Sequence, residues 1–94
     1  MAPRARAPAL VGRGLGRAHV FLGNVPYRAV EADLENLVAP VADVVRVRIV
    51  AQSGRTVAFV WLHDPTEADE AIAALDGVEL FGRRLRAERA ARRA

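Results

Sequence analysis

The 94-residue chain has fourteen arginines, no lysine, eleven acids, two histidines and no cysteine, for a formal net charge of +3. That length suits one compact domain. The missing cysteine excludes disulfides and thiol catalysis, and His19 and His63 lack the spacing of paired metal ligands.

Charge is unevenly placed. Residues 1–18 hold Arg4, Arg6, Arg13 and Arg17 and no acid, and residues 83–94 hold six arginines against Glu88. The stretch between them sets four arginines against ten acids. Basic ends around an acidic middle point to a nucleic-acid or membrane partner. No apolar run approaches the length of a membrane span. Residues 1–18 also contain Pro3, Pro8 and three glycines with no sustained period. They are expected to form a flexible basic arm; they are acid-poor like an organellar transit segment but lack its serines.

Structure is expected from His19 onward. VFLGNV (20–25) is a short apolar run stopped by Pro26, which reads as a strand. Val30, Leu34, Leu37, Val38 and Val41 lie on one face of a helix over 30–41, with Glu31, Asp33 and Glu35 at its positive end and Pro40 near its stop. VVRVRIV (44–50) alternates Arg46 and Arg48 with Val47 and Ile49, AQSG (51–54) is a tight loop, and RTVAFVWL (55–62) completes a hairpin. In DPTE (64–67), Asp64 can cap, Pro65 suits the first helical position and Glu67 suits a capping box. Ala68, Ala71, Ile72 and Leu75 follow at helical spacing, and Gly77 is a left-handed stop. RRLRAE (83–88) is a last alternating strand. The order β-α-β-β-α-β predicts an α+β, ferredoxin-like sandwich: a four-stranded antiparallel sheet with two helices on one face.

Alternation then sorts the strand residues. Ala58, Val60 and Leu62, with Val20 and Leu22, match the aliphatic stripes of the helices and should pack under them. Phe21, Phe59, Val57 and Trp61 are left on the uncovered face with Arg46, Arg48, Arg55, Arg84 and Arg86, a stacking platform framed by cations in which Trp61 either contacts RNA or packs against a tail or partner. Tyr27 is expected to be a packing residue of its loop, Arg28 a solvated loop charge, and Phe81 a plug at the end of the core. Catalysis finds little support. Ser53 is the only serine and sits in a hairpin loop; GRGLG (12–16) lacks the preceding strand of a phosphate loop.

VFLGNV and RTVAFVWL resemble the two ribonucleoprotein motifs of the RNA recognition motif family. In the longer one Arg55, Ala58, Phe59 and Val60 fit, while Thr56, Val57 and Leu62 depart. NVPY (24–27), Leu34 and Leu37, residues 41–50, Ala68 to Leu75 with Gly77, and GRRLR (82–86) agree in register. The resemblance covers about residues 19–90 and implies a non-enzymatic single-stranded RNA binder whose contacts include Asn24 beside the residues named above. Val57 stands where the family usually has an aromatic, which removes one stacking surface. The expected divisions are a basic arm (1–18), the domain (19–90) and a basic tail (91–94). No cofactor or membrane is implied, and a cytoplasmic monomer is expected. Single-stranded DNA, or a protein partner on the sheet face or helices, remains an alternative ligand.

Overall fold

The computed structural model describes residues 16–90. Most of the proposed arm, and the tail 91–94, lie outside them. The elements run β1 (Val20–Gly23), α1 (Glu31–Val38), β2 (Val44–Gln52), β3 (Arg55–Leu62), a 3-10 turn (Pro65–Glu67), α2 (Ala68–Leu75), β4 (Glu79–Leu80), β5 (Arg83–Arg84) and β6 (Arg86–Arg89). The main sheet is antiparallel throughout, in the order β2-β3-β1-β6. Both helices pack on one face of it, as the sequence predicts.

The core is built from small side chains. Val20, Leu22, Ala58, Val60, Leu62 and Ala87 from the sheet meet Leu34, Val38, Ala68, Ala71 and Leu75 from the helices, all buried. Alanines on α2 let the helix lie close to the strands, and the aliphatic layer is dense enough that truncating a buried leucine should cost about 2–5 kcal/mol. No buried polar or charged side chain interrupts it among the described residues.

Local chemistry sets the ends of the elements. The Val30 N–H donates to the Asp33 carboxylate at 2.9 Å, one arm of a capping box, and α1 stops at Val38, ahead of Pro40. Val30 caps the helix from outside and is 57 % exposed, so it does not belong to the core stripe that its spacing suggested. Asp64 accepts from the Thr66 N–H at 3.0 Å and the Thr66 hydroxyl at 2.6 Å. The hydroxyl bond, then the backbone bond, hold its carboxyl below the ordinary range. Thr66 is thus the partner that closes this cap, in place of the expected Glu67. The β2–β3 turn is tighter than AQSG implied: only Ser53 (φ 50°) and Gly54 (φ 77°) lie outside the strands, a two-residue turn with both residues left-handed.

The last strand departs from the sequence reading. It is not continuous over 83–88. Gly77 (φ 89°) lets the chain leave α2, and β4 pairs with β5 as a separate two-stranded ribbon, Glu79 opposite Arg84 and Leu80 opposite Arg83. Leu85 is buried at the break, and only β6 joins the main sheet. Asp76 at the end of α2 accepts from the Ala87 N–H at 2.9 Å and so anchors the new strand. Phe81 (φ 48°) and Gly82 (φ 84°) form the ribbon's turn. That geometry turns Phe81 outward, 48 % exposed, so it does not plug the core as expected.

Candidate nucleic-acid interface

The register maps the uncovered face row by row. Phe21 and Phe59 are Cα partners at its centre, with ring centroids 5.6 Å apart and planes inclined at 60°. Each is half-buried beside its partner ring. Arg48 lies opposite Phe59 on β2, Arg46 opposite Trp61, and Val50 opposite Val57. On β6, Glu88 lies opposite Phe21 and Arg86 opposite Gly23. The predicted residues Phe21, Phe59, Val57, Trp61, Arg46, Arg48, Arg55 and Arg86 therefore share one face. Arg84 does not join them in the main sheet, because its strand belongs to the ribbon.

Glu88 also stands on this face, although no motif points to it. The alternation that put Arg84 and Arg86 outward applies equally two residues on, so the signal was present. It sets one carboxylate beside the aromatic pair.

The two ends of the face differ. At one end the indole N–H of Trp61 donates to the Gly16 carbonyl at 3.1 Å, so the tryptophan is packed against the chain that enters the domain. His19 accepts from the Leu62 N–H through Nδ1 at 2.9 Å, and the Ala90 N–H donates to the His19 carbonyl at 3.3 Å. Both ends of the described chain meet here.

At the other end a cleft of about 620 Å³ opens between the sheet, the β1–α1 loop and the ribbon. Phe21, Val57, Tyr27, Arg55, Arg83 and Arg86 are among its walls. The loop is held in place. Asn24 adopts a left-handed φ of 60° and donates its side-chain amide to the Arg84 carbonyl at 2.9 Å. The Ala29 N–H donates to the Pro26 carbonyl at 3.0 Å, which puts Tyr27 and Arg28 at the apex of a turn. The Arg28 guanidinium lies 4.8 Å from the centre of the Phe81 ring. Arg28 is therefore engaged with an aromatic face, where the sequence suggested a solvated charge. Tyr27 is 86 % exposed, the reverse of the packing role expected of it. Gly23 matters to the cleft floor: a methyl group there would meet the Phe21 ring edge at 3.3 Å.

Cation pairing is sparse. Among the described residues one ion pair, Arg89 with Asp69 at 2.9 Å, ties β6 to α2 on the helix side. No group of His, Cys, Asp and Glu among them could hold a metal ion, and no helix among them is long and apolar enough to cross a membrane.

Comparison with known proteins agrees with this geometry. The sequence model of the RNA recognition motif matches residues 20–86. The chain is 40 % identical over 75 residues to the candidate RNA-binding protein RbpD of Nostoc sp., covering 76 % of this chain and 80 % of that one. It is 45 % identical over 71 residues to the serine/arginine-rich splicing factor RS41 of Arabidopsis thaliana, where 73 % of this chain spans only 19 % of the relative. Among solved structures, RNA-binding protein PG1 superposes with a TM-score of 0.69 at 31 % identity, over 82 % of this chain and 98 % of that one. The Rna15 domain, solved with RNA (GU) bound, superposes with a TM-score of 0.65 at 26 % identity, over 78 % of this chain and 82 % of that one. On the strength of the matched model and these relatives, the chain belongs to the RNA recognition motif family.

Proposed function

We propose that the uncovered sheet face binds single-stranded RNA, stacking bases on Phe21 and Phe59 and holding the phosphate backbone with Arg46, Arg48, Arg55 and Arg86. The observation that carries this reading is the half-buried Phe21–Phe59 pair on the one sheet face that no helix covers. Aromatic rings serve any base, because every base has a π-face, and arginines along the edges track the backbone. The basic segments 1–18 and 91–94 add phosphate contacts from beyond the sheet, flanking a binding domain over 19–90. The RNA-binding relatives and the RNA-bound Rna15 domain support the same ligand class.

Two features shape the expected affinity. Val57 lacks the π-surface of an aromatic, so one base is left without a stacking partner. Arginine contacts then carry a larger share, and binding should fall steeply with salt. The test is a titration of short single-stranded RNA followed by Trp61 fluorescence, wild type against Phe59→Ala at matched salt. Affinity should fall about fivefold to a hundredfold with the fold retained. Equal affinities would reject the platform. The same titration with the deoxy oligomer reads how far 2′-hydroxyls contribute.

A further inference from the structure

We infer that Glu88 makes guanine the preferred base at the position stacked on Phe21, through a two-point contact between its carboxylate and the N1–H and N2–H donors of the base. This rests on the proposed RNA binding of the sheet face and gives that binding a sequence preference. The register carries it first. Arg48, Phe59, Phe21 and Glu88 are successive cross-strand partners, so they form one lateral row over four strands. Cross-strand Cα partners stand about 4.5–5.5 Å apart. The edge of a base lying on Phe21 therefore comes within reach of the Glu88 side chain.

The second observation is that the carboxylate is free. Glu88 is exposed, and among the described residues it has no hydrogen-bond or ion-pair partner; the one ion pair there, Arg89 with Asp69, lies on the helix side. Nothing in the fold occupies its two oxygens. On a face that otherwise offers arginines, a bare carboxylate repels the phosphate backbone. A contact made only with one kind of base offsets that repulsion for the matching RNA and leaves it in force against the others.

Base chemistry then selects the ligand. A carboxylate only accepts, through two oxygens side by side. Guanine alone among the four RNA bases has two adjacent N–H donors on its Watson–Crick edge, an edge that single strands leave free. Uracil places a carbonyl on each side of its one N–H. Adenine and cytosine set a ring-nitrogen lone pair beside the amino group, so the second carboxylate oxygen meets repulsion. The other end of the row is the opposite case. Arg48 only donates, so a base on Phe59 is met by a cation. The two stacked positions are therefore unlike, and the one on Phe21 selects for donors.

The test measures affinity for oligouridylates carrying a single central guanosine, inosine or adenosine, beside the plain oligouridylate, for wild type, Glu88→Gln and Phe59→Ala. Wild type should favour the guanosine oligomer by about fivefold to a hundredfold, the discrimination expected of one two-point base contact. Inosine keeps N1–H but lacks the 2-amino group, so it should lose most of that preference. Glu88→Gln should bring guanosine to the level of adenosine, while binding of the plain oligouridylate rises slightly at low salt as the repulsion disappears. A carboxylate with a purely structural or general electrostatic role would move all four oligomers together. Equal wild-type affinities, inosine matching guanosine, or a guanosine preference kept by Glu88→Gln would overturn the inference, while platform binding stands provided Phe59→Ala weakens every oligomer. If Phe59→Ala changes nothing, or wild type binds no oligomer, the platform reading fails and the guanine preference falls with it.

Discussion

The two faces of one sheet do opposite work with adjacent residues. On β1, Leu22 is fully buried under the helices while Phe21, its neighbour, lies on the far side in the ring pair. On β3, Ala58, Val60 and Leu62 are buried, while Val57, Phe59 and Trp61 stay partly open. The helix face buries small aliphatic residues and, among the described residues, no charge; the open face gathers the large rings and most of the sheet's arginines. Because successive strand residues point in opposite directions, one strand can hold the core with every second residue and leave the others to a ligand. Stability and binding should therefore separate cleanly by residue parity.

That separation can be broken by substitution. The largest effect belongs to Leu22→Ala, which should cost about 2–5 kcal/mol of unfolding free energy by chemical denaturation. RNA affinity should be unchanged wherever the protein remains folded. Its neighbour tests the other face. Phe21→Ala should lower RNA affinity about fivefold to a hundredfold in a fluorescence titration while costing less stability than Leu22→Ala. Equal losses of stability from the two would mean that the ring pair is a second core. Val57→Phe sharpens the comparison from the opposite direction. Restoring a ring on the open face should raise affinity by about fivefold or more for the shortest oligomers, with no gain from the matching change on the buried side. A smaller effect belongs to Glu88→Gln. Removing the carboxylate opposite Phe21 should strengthen binding of guanine-free RNA by at most about fivefold at low salt, and the gain should fade as salt rises.

Alternation is also why so much of the site was legible in the sequence. RTVAFVWL and VFLGNV obey period two, and the aliphatic half matches the helical stripes, so Phe21, Phe59 and the β2 arginines could be assigned to the free face without coordinates. The rule stops working where the chain leaves regular structure. Alternation puts Arg84 on the open face, but the strand breaks at the buried Leu85, and residues 83–84 pair instead in a ribbon with Glu79 and Leu80. A buried leucine within an alternating run carries no mark of that break. The sequence suggests packing roles for Phe81 and Tyr27, yet loop aromatics are governed by turn geometry. A left-handed φ of 48° turns Phe81 outward, and the Pro26–Ala29 turn leaves Tyr27 at its apex. The spacing of Val30 fits the helix stripe, although its N–H is committed to Asp33 as the helix cap. The cleft is assembled from these loops together with the sheet edge, so residue spacing alone could not disclose it.

Trp61 shows how the open face is bounded. Its indole N–H is bonded to Gly16, at the end where Ala90 also pairs with His19. Trp61→Ala would remove both the donor and the ring. It should leave RNA affinity within about twofold if the residue only anchors the incoming chain, and lower it into the Phe59→Ala range if the indole stacks a base.

The most direct test of the central claim is the RNA affinity of the Phe21→Ala/Phe59→Ala double variant, measured where circular dichroism shows the wild-type fold. The account predicts that binding collapses to a weak remainder that is steeply salt-dependent and indifferent to base identity, the signature of arginine–phosphate contacts alone. Wild-type affinity in that folded double variant would contradict it and move the ligand off the sheet face.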